Sequence, residues 1–328
     1  MKLLLRAVLA FCILMMFSLQ TGAQIWISNS APKESSSKVA LTGMHKLSTL
    51  RGKRGSTKVI QWLRSGSSVE ESLFSQADSS AVLLLFDPQK QKVAVETIAD
   101  HYSSAFVFNN TDEGFYNLFY LTEKVHNDTL LIACASREIL NHSCRNGHAK
   151  ELKYIPYKTF ADAIPMQIVR ERTKADDLHY FVTSGEFVTF RALYDGKPAE
   201  GVKMTLVSQK GWKKVLFTDD EGIASFEIIQ DYFTNWNVFD VKKIHNYLLI
   251  AEKTFTETGI HQQKAFTHIK YVTTYSEAYL PAKTNYMSFV WGLIVFFITV
   301  IASSIAVYVY RNRRNVLKKH NYELPSKY

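Results

Sequence analysis

Four residues with metal-ligand chemistry lie within fifteen positions of one another, in "LLIACASREILNHSCRNGH": Cys134, His142, Cys144 and His148. Thiolate sulfur and imidazole nitrogen together suit zinc, and imidazole alone suits copper or nickel. The same four residues also describe a short disulfide loop with two bystander histidines. Which chemistry applies depends on the redox compartment, because disulfides persist only where the surroundings oxidise. The elements that decide the compartment are at the two ends of the chain.

The first 23 residues read MKLLLRAVLAFCILMMFSLQTGA. Lys2 and Arg6 precede an apolar stretch, and Thr21-Gly22-Ala23 has the small residues of a cleavage site, the pattern of a secretory leader. Residues 1–23 are therefore expected to be removed, Cys12 with them. Near the other end, Phe289 to Tyr310 runs 22 residues without a charge, enough to span a bilayer. Trp291 and Tyr310 sit near its ends, where amphipathic rings prefer the interface. Arg311, Arg313 and Arg314 follow and are expected to stay on the cytoplasmic side. The expected anchor is thus a transmembrane helix over 287–310 with Phe289, Trp291, Tyr310, Arg311, Arg313 and Arg314 as its membrane contacts. A basic cytoplasmic tail over 311–328 follows it.

This topology accounts for the charge. The chain carries +9, of which the tail supplies +5 and the leader +2. Only +2 is left for everything between, so the basic balance reports membrane orientation and not a nucleic-acid surface.

Between leader and span the pattern is extended. VLLLFD, KVAVETI, SAFVFNN, GFYNLFYLTEKV and TLLIACAS are rich in β-branched and aromatic residues and are separated by Asp-Pro, Asn-Asn and Asn-Asp turns. Seven more such segments follow residue 164. The expected fold is mainly β, with two Ig-like β-sandwich domains outside the cytoplasm, over 24–150 and 164–282. The first carries an irregular basic and Ser-rich excursion at 31–80, with one strand expected at Lys58 to Leu63.

The segment "IPMQIVRERTKADDLHYFVTSGEFVTFRALYDGKPAEGVKMTLVSQ", followed by "FTDDEGIASFEI", carries a resemblance. It resembles the C-terminal half of a family of bacterial extracytoplasmic β-sandwich proteins of unknown function associated with nickel and cobalt uptake. The resemblance rests on Ile164–Val169, Gly185, Tyr194–Pro198, Gly201-Val202 and Thr218–Phe226. It implies a bacterial envelope, a location in the cytoplasmic (inner) membrane and a link to transition-metal transport. It also implies a histidine at the mature N-terminus, where this chain has Gln24-Ile25-Trp26-Ile27 instead.

No GxSxG, HExxH, phosphate loop or dinucleotide fingerprint is present, so no enzyme is expected. The expected function is a membrane-anchored binding or accessory protein linked to uptake of nickel, cobalt, copper or zinc. Its partners would be the membrane and a metal transporter or other envelope protein. The alternative is a structural or adhesion module without a small ligand. For the opening cluster, two cysteines in an oxidising compartment are expected to pair as Cys134–Cys144. Two alternatives stay open: a zinc-like site on both thiolates with His142 and His148, and weak metal binding by His142 and His148 at the rim of the disulfide loop.

Overall fold

The computed structural model describes residues 24–29, 57–99, 101–142, 157–173, 180–229 and 244–322. Residues 1–23 and those beyond Tyr322 lie outside them. The first half supplies β1 (Ile25–Ser28), β2 (Thr57–Ser65), β3 (Leu73–Phe74), β4 (Val82–Phe86), β5 (Lys92–Val93), β6 (Glu96–Ala99), β7 (Ser104–Asn110), β8 (Gly114–His126) and β9 (Thr129–Asn141). The second half supplies β10 (Met166–Glu171), β11 (Phe187–Tyr194), β12 (Lys197–Pro198), β13 (Lys203–Val207), β14 (Lys213–Phe217), β15 (Ile223–Glu227), β16 (His245–His261) and β17 (Lys264–Tyr279). All seven extended segments expected after residue 164 are strands. The strand expected at Lys58 to Leu63 is β2.

Period-two patterning explains how the layers form. Along β8, Tyr116, Leu118 and Tyr120 face one core while Phe119 and Leu121 face another. Both faces of this strand are apolar, so it must lie in the middle of the molecule. The same holds for β9, β16 and β17, and these strands form the centre of an eight-stranded sheet ordered β14-β13-β16-β17-β9-β8-β4-β5. On one face lies the sheet β10-β11-β12, with β15 also on β11, packed through Ile168, Phe190, Phe226, Tyr247 and Tyr275. On the other face lies the sheet β1-β2-β7-β6, with β3 on β2. It packs through Ile27, Leu63 and Phe106 against Leu118 and Tyr120, and through Trp26 against Leu248 and Val272. The β-body is therefore a three-layer stack.

This arrangement corrects the expected division into two separate sandwiches. Residues 129–136 of β9 pair in parallel with residues 268–275 of β17, so the central sheet runs across the expected boundary. The described residues up to Leu280 belong to one compact unit. Strands β9 and β17 are apolar on both faces and so have to be covered by a layer on each side, which puts them in the middle of one stack.

The second unit begins at Pro281. It holds helix α1 (Lys283–Tyr322), and Val290–Asn315 within it is long and apolar enough to cross a membrane, with none of that stretch buried by protein. The helix thus starts before the expected 287 and carries the basic cluster as its last turns.

Candidate functional site

The parallel ladder between β9 and β17 stops at Ser136 and Tyr275. Beyond that point β9 continues along β8 to Asn141, and β17 continues along β16 to Tyr279. Two strands that were neighbours part, and a cavity of about 240 Å³ occupies the gap. Its walls come from all three layers: Asn29 and Gln61, then Phe115 and Arg137–Leu140 with Glu277, then Arg170, Arg172 and Tyr180–Val182.

Charged side chains concentrate here. Arg170 and Arg172 lie two residues apart on the face of β10 and its extension that also carries Met166 and Ile168, so they follow the apolar face inward. The Arg170 guanidinium meets Glu277 Oε1 at 2.7 Å, and Arg172 donates to Glu138 Oε2. Tyr247 donates its hydroxyl to Glu277 at 2.6 Å and Tyr275 donates to Glu138 at 3.1 Å. Arg172 also lies 3.8 Å over the Phe115 ring and Arg170 lies 5.3 Å over Tyr180. Burial and the neighbouring Glu277 push the Tyr247 phenol well above its ordinary pKa, and burial does the same to Tyr275. Both hydroxyls therefore remain donors to the carboxylates at neutral pH.

Arg137 differs from the other two arginines. It is 6% exposed, and its Nη1 donates to the Ile27 carbonyl at 3.1 Å and to Ser276 Oγ at 2.8 Å. Among the described residues no carboxylate forms an ion pair with it. Burial pushes its pKa down to about 10, which still leaves it charged at neutral pH.

The residues singled out by sequence lie elsewhere. Cys134 is a free thiol in the core between the central sheet and the β10–β11 layer, and burial pushes it up to about 12. His142 is half-buried just past the end of β9, while Cys144 and His148 lie outside the described residues. The expected Cys134–Cys144 bridge is not formed at Cys134, which is a free thiol. β9 does not end at Cys134 but runs on to Asn141. That stretch covers about 23 Å at ~3.3 Å per residue. Cys134 therefore sits mid-strand in the core, seven residues before the end of β9.

The candidate metal cluster is described only in part, by Cys134 and His142. No group of three His, Cys, Asp or Glu side chains among the described residues is placed to hold an ion, and a core thiol with so high a pKa is a poor ligand. Of the anchor residues, Phe289, Trp291, Tyr310, Arg311, Arg313 and Arg314 all lie in α1, and Trp291 and Tyr310 are exposed along it.

Sequence reasoning missed Arg137, Glu138, Arg170, Arg172, Tyr247, Tyr275 and Glu277. A signal was present: "ASREIL", "IVRER" and "YSEAYL" place charges inside segments that are otherwise apolar on both faces. Compared with known proteins, the chain matches no family model and no curated protein.

Proposed function

We propose that the chain is a single-pass protein of a bacterial cytoplasmic membrane. Its β-body lies outside the cytoplasm and serves as a binding or accessory component with no reaction of its own. The observation that carries the reading is α1: an apolar stretch, unburied by protein, that runs directly into Arg311, Arg313 and Arg314. Such clusters are retained on the cytoplasmic side, and a leader-like N-terminus agrees with export of the residues between. The β10–β11 layer facing β13, β16 and β17 supports the Ig-like reading of the second half. The link to nickel or cobalt uptake is supported by the resemblance over Ile164–Phe226 alone. In that reading the chain assists a metal transporter and does not hold the ion with its described residues.

A structural or adhesion role is the second reading. It is favoured by β14, an edge strand of the central sheet that exposes Val215 and Phe217.

Topology is tested by fusing a reporter after Tyr328. A cytoplasm-only reporter is expected to be active there, and activity of a periplasm-only reporter at that position overturns the topology. Uptake of radioactive nickel by cells lacking the chain separates the two roles: a defect restored by the wild-type gene supports the accessory reading, and unchanged uptake removes it.

A further inference from the structure

We infer that the cavity between the parting ends of β9 and β17 is a binding site for a small monocarboxylate, held by Arg137. This goes beyond the anchoring and metal-uptake readings and depends on neither.

Charge is the first argument. Five ionised groups line the cavity: Arg137, Arg170 and Arg172 against Glu138 and Glu277. Both carboxylates are engaged, Glu138 by Arg172 and Tyr275, and Glu277 by Arg170 and Tyr247. Among these five groups the cations outnumber the carboxylates by one, and Arg137, almost wholly buried, is the cation that no carboxylate contacts among the described residues, while Glu277 acts on it through space. A buried cation without a contacting counter-ion is unfavourable, and a monoanion in the cavity would pair with it directly.

Donor geometry is the second. A guanidinium has five N–H donors. Nη1 directs both of its protons at Ile27 and Ser276, which fixes the plane of the group. The Nε and Nη2 edge makes no hydrogen bond among the described residues, yet neither nitrogen is sealed against protein. That edge is the fork that receives the two oxygens of a carboxylate in parallel. Gln61 lines the same cavity and is 4% exposed.

Size and lining are the third. A volume of about 240 Å³ suits an organic acid of modest size. Phe115, Tyr180 and Phe181 offer ring surface to a hydrocarbon body, which an inorganic anion would not use. Phe181 is 55% exposed and stands at the cavity's solvent side.

The test uses the full-length chain in detergent, titrated calorimetrically with sodium benzoate and sodium butyrate. Benzamide and sodium sulfate at matched ionic strength are the controls. One saturable carboxylate site is expected. Arg137→Gln is expected to weaken binding about tenfold or more, since a charge-assisted bidentate pair is lost. Should that variant fail to fold, Phe181→Glu decides: it changes an exposed position, leaves the core untouched, and sets a like charge at the opening, with a similar loss expected. Absence of saturable carboxylate binding by the wild-type chain overturns the inference. So does equal binding of benzamide or sulfate, or carboxylate binding that Phe181→Glu leaves unchanged.

Discussion

Glu138 is the carboxylate whose removal most directly tests the charge network. Its Oε2 accepts from Arg172 and from the Tyr275 hydroxyl, and the Arg172 and Glu138 side chains are only 3% and 10% exposed. Replacing it by leucine leaves the Arg172 guanidinium buried without a counter-charge, a loss of about 3–5 kcal/mol. Glutamine keeps an acceptor in place, and a neutral hydrogen bond returns about 1 kcal/mol. The Phe115 ring stays under Arg172 in both variants and limits the damage. Glu138→Gln is therefore expected to cost about 2–4 kcal/mol and Glu138→Leu about 3–5 kcal/mol. Arg172→Met alone should cost a comparable amount, because it strands Glu138. The double variant Glu138→Leu/Arg172→Met removes both charges and should lose much less than the two single changes together, with a coupling of about 2 kcal/mol or more. Urea unfolding of the full chain in mild detergent at neutral pH, followed by tryptophan fluorescence, measures all four. Single costs under about 1 kcal/mol, or additive costs in the double variant, would show that the pair is solvated and that the network does not exist as a buried unit.

Three further outcomes are expected. Phe226→Ala removes a fully buried ring that packs edge-on against Phe190 at 6.3 Å, and urea unfolding should register a loss of about 3–5 kcal/mol. Cys134, buried and pushed up to about 12, should resist iodoacetamide in the native protein at pH 8 and react fully in urea without prior reduction; a requirement for reductant would restore the disulfide. Asp78 is held well below the ordinary carboxylate range by the Lys124 ammonium at 2.6 Å and by Ser80, so its charge stabilises the fold above the unfolded carboxylate pKa. That contribution is lost as pH falls through the folded value: Asp78→Asn should lower the urea midpoint at pH 7, and the gap to wild type should shrink on acidification.

Much of the β-architecture was readable because its signals are local. Val188, Phe190 and Ala192 alternate in sequence, and all three enter the core. Asp195-Gly196 reads as a tight turn, and both residues take positive φ there, at 47° and 74°. That turn returns the chain through β12, which pairs back on β11, whereas β13 leaves for the central sheet. No local feature announces that departure. The pairing of β9 with β17 was equally hidden, because partners such as Cys134 and Thr273 are far apart in sequence and a parallel ladder has no turn to mark it. The cavity depends on where that ladder ends, so its residues could be seen only as charges out of place. Cys134 misled for a related reason. Counting cysteines by compartment alone turned a mid-strand core thiol into a loop closure.

The meeting of β9 and β17 has a consequence for how the chain reaches its native state. Ser136 Oγ donates to the Thr274 carbonyl across 138 residues, and Thr274 Oγ1 in turn donates to the Ile25 carbonyl across 249. Contacts so distant along the chain close slowly, because loop entropy is lost before they reward it. Polypeptide emerges from its N-terminus onward, so β1 and β9 are made long before the strand that completes them. Until β17 arrives, β9 offers an apolar edge with unpaired backbone groups, a template for wrong strands. Folding of the β-body is thus held open until residue 279 has been made, immediately before the apolar helix. A holding chaperone, or rapid completion of the whole β-region, would protect that edge in the meantime.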